Sequence, residues 1–371
     1  MKKILKKVTA MNYRFLILLI LAQMILDPLS SQSRSETRNF IKTLTADKET
    51  TLEVYNKYGT IQITQWKKDS VMIRAEIKAV ASDKEKVGKM FDGISINMTE
   101  SKYQIRAETS FSQNIGMLFE NFKGMTSKII SYDSRVEINY YISMPEYLNL
   151  KIENKYGDVY MEDNTGNFSI SVSNGSFKAN SLGKNATLKL TFCDATVSSI
   201  ASGKIDASFS EVSANELGDV TISSISSKYE VKKAGTISIE SRRDKFYIDN
   251  VKTIKGNSYF TEFNLKNLRD EASLSTRYGN LNIELVQNGF ESINLNTGYT
   301  DVSLGFEPGA SYNLDIRQLN SFLVISEKSA KTEKKVLNED KKEYITSGTV
   351  GKNPGSSKVS IDATHGDIYL K

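Results

Sequence analysis

From residue 150 onward the chain alternates apolar and polar positions in short runs, with almost no helical spacing. Leu150 and Ile152, Val159 and Met161, Phe168, Ile170 and Val172, and Leu188 and Leu190 alternate with Lys, Glu, Ser or Thr. The pattern continues through Ile237 and Ile239, Leu281, Ile283 and Leu285, and Val302 and Leu304. A period of two places every second side chain on one face, so these runs predict strands with one buried and one wet side. The apolar residues that open the strand after each corner are Val159, Phe177, Val197, Val212, Val231, Phe246, Phe263, Leu281 and Val302, at steps of 15 to 21 residues. A regular period near 20 marks repeats that bury their apolar side only by stacking on their neighbours. The pattern therefore predicts an all-β fold, a parallel β-solenoid with turns of about 18 residues. A β-sandwich fits less well: Asn-Gly hairpin signals occur only at 174–175 and 288–289, and the outward positions are rich in Ser, Thr and Asn that can form ladders between turns.

The corners themselves recur as "NKYGTIQI" (56–63), "NKYGDVYM" (154–161), "TRYGNLNI" (276–283) and "ATHGDIYL" (363–370). Gly157 is expected to supply a backbone angle closed to other residues, and Tyr58, Tyr156, Tyr278 and His365 share one place in the corner. The amino-terminal third differs. Residues 51–80 read as three strands, followed by "SDKEKVGKMFDGI" (82–94), in which Ser82 and Glu85 form a capping box, Val87, Met90 and Phe91 share a helical face, and Gly93 ends the helix. Such a helix would cover the open first turn of the stack. A second helical spacing, Ile115, Leu118, Phe119 and Phe122, lies within 110–125. The expected order is an export signal (1–31), amino-terminal strands and capping helix (32–149), the repeat body (150–326), a solvated charged loop (327–343) and closing strands (344–371).

Charge and cysteine content change where such a chain would work. Lys2, Lys3, Lys6, Lys7 and Arg14 precede the apolar run "FLILLILAQMIL" (15–26), the layout of a secretory signal. That run is shorter than the roughly 20 residues that cross a bilayer, so no transmembrane span is expected in the mature chain. Removing residues 1–31 takes away those five cations and Asp27, and the formal charge falls from +5 to about +1. A nearly neutral chain lacks the field of a nucleic-acid binder. Cys193 is the one cysteine, so no intramolecular disulfide forms even in the oxidising compartment that export implies, the periplasm or the cell surface.

Candidate chemistry is sparse. Asp194, Glu211 and Glu230, with Asp158 below them, could stack as outward carboxylates on successive turns, the arrangement a carbohydrate-active β-helix would need. "SRRDK" (241–245) sets Arg242, Arg243 and Lys245 beside Asp244 at one corner. His365 and Cys193 are single residues of their kinds, which leaves no Cys/His zinc set. "VGKNPG" (350–355) lacks the spacing of a phosphate loop, and Asp158, Asp301 and Asp367 lack the dense repeat of calcium-binding solenoids. No catalytic, cofactor or metal residue is assigned. Outward tyrosines (Tyr160, Tyr229, Tyr247, Tyr259, Tyr299) could meet a glycan or a protein, and "IGMLFENF" (115–122) could serve as an apolar contact.

The repeated Tyr-Gly corners, the Ser/Asn-rich strands and the ending "GTVGKNPGSSKVSIDATHGDIYL" resemble a domain family of unknown function known as putative adhesins, with β-strand repeats, found in exported bacterial proteins. The resemblance covers most of residues 40–371. It implies a right-handed β-solenoid or similar strand-repeat fold outside the cytoplasm, with adhesion as its role, and it carries over no catalytic residue. Together with the polar, tyrosine-bearing outer faces, this gives the expectation of an adhesive or structural surface that binds a glycan or cell-envelope protein. The alternative is a polysaccharide lyase or hydrolase built on the acidic turns.

Overall fold

A computed structural model describes residues 33–113, 134–326 and 328–371. Its 24 strands join in one continuous hydrogen-bonded sheet, most of it parallel. In the middle of the chain five long strands follow one another, Phe168–Leu182, Ala186–Ser208, Glu211–Ile225, Lys228–Arg242 and Lys245–Tyr259, and each pairs in parallel with the next. The strand Glu262–Arg277 continues the series before it divides into shorter segments. We call one such passage a tier.

The register fixes which side chains share a row. The row that opens each tier runs Val159, Phe177, Ala195, Val212, Tyr229, Phe246, Phe263, Leu281, Val302 and Ile368. Val197 and Val231, expected in this row, sit two residues further along. Ala195 and Tyr229 take their places, because the pairing of the tiers sets Ala195 beside Phe177 and Val212, and Tyr229 beside Val212 and Phe246. Tyr229 is therefore not an outward tyrosine: it is fully buried and stacks on Phe246 at 4.7 Å, and Phe246 stacks on Phe263 at 5.2 Å. Burial raises the Tyr229 phenol well above its ordinary pKa. Partway along each tier the alternation slips where two successive residues face solvent, Glu216 after Asn215 and Lys233 after Lys232, before Leu217 and Ala234 return inward. The strand bends there, and the inward residues of both flanks form one apolar core.

Both ends depart from this order. At the amino-terminal end the strand Ile61–Gln65 pairs in parallel with Arg135–Met144, which continues antiparallel to Ser70–Ala81 and then Arg34–Thr45. The other flank passes from Thr51–Lys57 to Gln104–Phe111 and then antiparallel to Ile94–Ser101. The helix Lys84–Asp92 packs Val87 and Phe91 inward, and Gly93 caps its end as expected. Its N-cap is Asp83, whose carboxylate accepts from the Lys86 N–H at 2.8 Å; Ser82 lies one residue too early. Most of the expected second helix, together with "IGMLFENF", lies outside the described residues.

At the carboxyl end the charge-rich stretch expected as a loop contains a strand, Lys331–Asn338, paired antiparallel with Glu343–Val350, which in turn pairs with Tyr312–Leu319. Pairing with Glu343–Val350 holds this strand extended with both faces wet, and Lys331, Lys334 and Lys335 oppose pairing with another sheet edge. The last strands do not close the end. Lys358–Thr364 inserts between Ser292–Gly298 and Tyr312–Leu319, and Ile368–Leu370 inserts between Asp301–Phe306 and Leu323–Ile325. Among the described residues no helix is long and apolar enough to cross a membrane.

Candidate functional site

The corners form two adjacent rows with different roles. The first consists of residues in the left-handed region: Tyr58, Tyr156, Asn174, Phe192, Phe209, Ser226, Arg243, Phe260, Tyr278, Tyr299 and His365, with φ between 49° and 66°. At Tyr58–Gly59, Tyr156–Gly157 and Tyr278–Gly279 it is thus the aromatic residue, not the glycine, that takes the unusual angle, whereas at His365–Gly366 both residues have positive φ. Gly157 is required for another reason: a Cβ there would lie 2.0 Å from the carbonyl oxygen of Gly59 in the neighbouring tier. The strained rings stack along the corner, Tyr58 on Tyr156 at 5.4 Å, Phe192 on Phe209 at 5.0 Å, Phe260 on Tyr278 at 5.0 Å, Tyr278 on Tyr299 at 5.1 Å and Tyr299 on His365 at 4.4 Å. Ring contacts of this kind contribute about 0.5–1.5 kcal/mol each beyond burial, so His365 has a structural place.

The second row lies one residue further on and faces inward: Gly157, Gly175, Cys193, Ser210, Ser227, Asp244, Thr261, Gly279, Thr300 and Gly366. Here a side-chain oxygen accepts the backbone N–H of the preceding tier, from Cys193 to Ser210 Oγ at 3.1 Å, Ser210 to Ser227 Oγ at 3.3 Å, and Ser227 to Asp244 Oδ1 at 2.7 Å. The ladder expected on the outside is present among asparagines, Asn185 donating to Asn167 at 3.0 Å and Asn167 to Asn149 at 3.2 Å, and a further ladder through hydroxyls lies inside the corner. Asp244 is buried and also accepts from Ser224 Oγ and Ser241 Oγ, each at 2.6 Å, and from the Arg242 N–H at 3.1 Å. Four donors explain how a carboxylate is tolerated there. Cys193 is buried in the same row, and burial pushes its thiol up to about 12, with Asp194 and Asp158 adding to the shift. Such a thiol is a poor nucleophile at neutral pH.

The acidic set is only partly brought together. Asp194 and Glu211 are register partners, but the same row continues with Lys228 and Lys245. Glu230 belongs to another row and pairs with Lys228 at 2.6 Å. Asp158 is separated from Asp194 by Ser176, whose N–H and Oγ both donate to it at 2.8 Å. Asp301 and Asp367 stack at the other end, with Asp301 accepting the Asp367 N–H at 2.9 Å. Among the described residues no group of three or more His, Cys, Asp or Glu is arranged to hold a metal.

The feature that sequence reasoning missed is a groove of about 880 Å³ on the outer face of the second flank. It crosses seven strands in succession, from Thr221 through Ser238, Lys255, Ser273, Asn294 and Ser360 to Asp315. At the inter-strand spacing this is a path of about 30 Å. Ser275, Asn296 and Asp362 form its second wall, with Glu240 accepting from Asn257 Nδ2 at 2.8 Å. Gly256 lies in its floor at φ +135°, an angle only glycine accommodates readily. Arg317, joined to Glu343 at 2.6 Å, closes the far end. Successive residues are 17 to 21 positions apart as far as Asn294 and 66 and 45 apart beyond it, so only the register would have grouped them. Of the outward tyrosines, Tyr247, Tyr259 and Tyr299 are exposed and Tyr160 is half-buried, all outside this groove.

No family model matches the chain, and no curated protein matches it. A solved structure described as a "putative cell adhesion protein" from Clostridium sporogenes shares 13% identity, over 91% of this chain and 99% of that one, with a TM-score of 0.19. A likeness at that level carries no argument about this chain.

Proposed function

We propose that the chain is an exported, non-catalytic right-handed β-solenoid that acts as an adhesive or structural surface and binds a linear glycan along its outer face. The groove across seven strands carries this reading. Its direction, along the stack, suits a chain molecule. Its serine, asparagine and carboxylate walls offer the donors and acceptors that sugar hydroxyls need. The export signal at 1–31 supports a position in the periplasm or at the cell surface, where such polymers are met.

A glycan array combined with a polysaccharide-cleavage assay tests the reading. Binding without released oligosaccharide is expected, together with a severalfold loss of affinity in Asn296→Ala. Turnover that disappears in Asp194→Asn or Glu211→Gln would establish the carbohydrate-active alternative, and binding of protein ligands alone would reject the glycan.

A further inference from the structure

We propose that the corner between Phe209 and Phe260 recognises an acidic glycan, with Arg242 and Arg243 holding the carboxylate of a uronic acid unit. This rests on the surface-binding reading and names the class of ligand.

One negative charge beside the arginines is missing from the surface. In sequence Asp244 follows the two arginines and looks like their partner. In the structure it is turned inward and satisfied by Ser224, Ser227, Ser241 and the Arg242 backbone. Among the described residues neither Arg242 nor Arg243 forms an ion pair, and neither does Arg277, which shares the row of Arg242 two tiers further on. By contrast Arg74, Arg106, Arg269 and Arg317 are each paired with a carboxylate. Exposed guanidiniums with a planar fork are suited to bidentate binding of carboxylate, and the row repeats along the stack as acid groups repeat along a polyuronate.

The aromatic row supplies the second element. Phe209 has Phe192 on one face, but on the other side the corner residue is Ser226, so no ring covers it. Phe260 stacks on Tyr278, and its opposite face meets only the Arg243 guanidinium at 6.0 Å. Between Phe209 and Phe260 the stack thus lacks a ring at two tiers, Ser226 and Arg243; the serine tier is left open, bordered by Ile225, which is 43% exposed. The apolar face of a pyranose fits against such a ring.

Beside the opening lies a hollow of about 450 Å³ lined by Thr191, Ser208, Ser223, Arg242, Asp206 and Glu240. Of its two carboxylates, Asp206 is paired with Lys204 at 2.9 Å and Glu240 keeps its charge while accepting from Asn257 at 2.8 Å; Arg242 is paired with neither, and Lys189 adds a second cation to the lining. Glu240 also lines the long groove, so the two hollows adjoin at that residue.

Calorimetric titration of the full chain with polygalacturonate tests the assignment, with neutral dextran and a single-stranded oligonucleotide as comparisons. Polygalacturonate should bind at least tenfold more tightly than dextran at low salt. The Arg242→Gln/Arg243→Gln variant should lose tenfold or more. Ser226→Phe, which fills the opening and retains both arginines, should also weaken binding, with the melting transition confirming that each variant folds. Equal binding by wild type and variants, or binding of neutral glycans alone, overturns the inference while the surface-binding reading stands. An oligonucleotide that binds as tightly and with the same sensitivity overturns it in favour of a phosphate-binding surface. If no glycan binds to the wild type, both readings fall.

Discussion

The corners at Tyr58–Gly59 and Tyr156–Gly157 and those at Ser226–Ser227 and Arg243–Asp244 have the same backbone shape and almost no sequence in common. In the first pair, glycine lets the neighbouring tier approach, and an asparagine two residues before the aromatic residue donates into the gap: Asn56 to the Ile138 carbonyl and Asn154 to the Gly59 carbonyl, both at 2.9 Å. In the second pair, the residue after the left-handed position carries the oxygen itself and accepts the N–H of the tier before. The first arrangement satisfies backbone carbonyls and the second backbone N–H groups. What the protein repeats is a conformation, and the backbone groups and amino acids that are paired at it differ between regions.

Substitutions at the two kinds of corner should separate these solutions. Asp244→Ala leaves four donors without their acceptor, and at roughly 1–3 kcal/mol for each stranded group, partly relieved by water, a loss of about 3 kcal/mol or more is expected in chemical denaturation. If the loss were negligible, the buried carboxylate would not organise its corner. Gly157→Ala forces a Cβ against the Gly59 carbonyl and should cost about 1–3 kcal/mol. Gly88→Ala is the control, since a Cβ there meets nothing within 4 Å and the helix should gain up to about 1 kcal/mol. The smallest effect belongs to the exposed stack. Tyr278→Ala removes two ring contacts and should lower stability by about 1 kcal/mol, whereas Tyr278→Phe should be close to neutral.

The same contrast explains what the sequence disclosed. The alternation, the glycine corners and the helix near residues 82–94 were legible because each depends on neighbours within a few residues. The row containing Ala195 and Tyr229 was read two residues out of phase, since valines at 197 and 231 looked like the better core residues, and only the pairing of tiers decides between them. The charged strand Lys331–Asn338 was hidden because both of its faces are wet, which removes the alternation that announces a strand. The insertion of Lys358–Thr364 between two earlier strands is a contact of long sequence separation with no local signal. Of the candidate site, "SRRDK" was noticed as a charged corner. That its aspartate faces inward and its arginines outward followed only from the structure.

The long groove, the stacked corner and the unpaired arginines all depend on one register between tiers. Two double-cysteine variants test it directly. Ser238 and Lys255 are register partners on the outer face, so Ser238→Cys with Lys255→Cys should oxidise readily to a disulfide. Ser238→Cys with Asn257→Cys moves one partner two residues along the strand, beyond the Cα separation of about 7 Å that a disulfide can bridge, and should remain reduced. Buried Cys193 should stay out of both reactions. Rapid cross-linking in the first variant alone is the predicted result; equal cross-linking in both, or cross-linking in the second alone, would contradict the register and the surface derived from it.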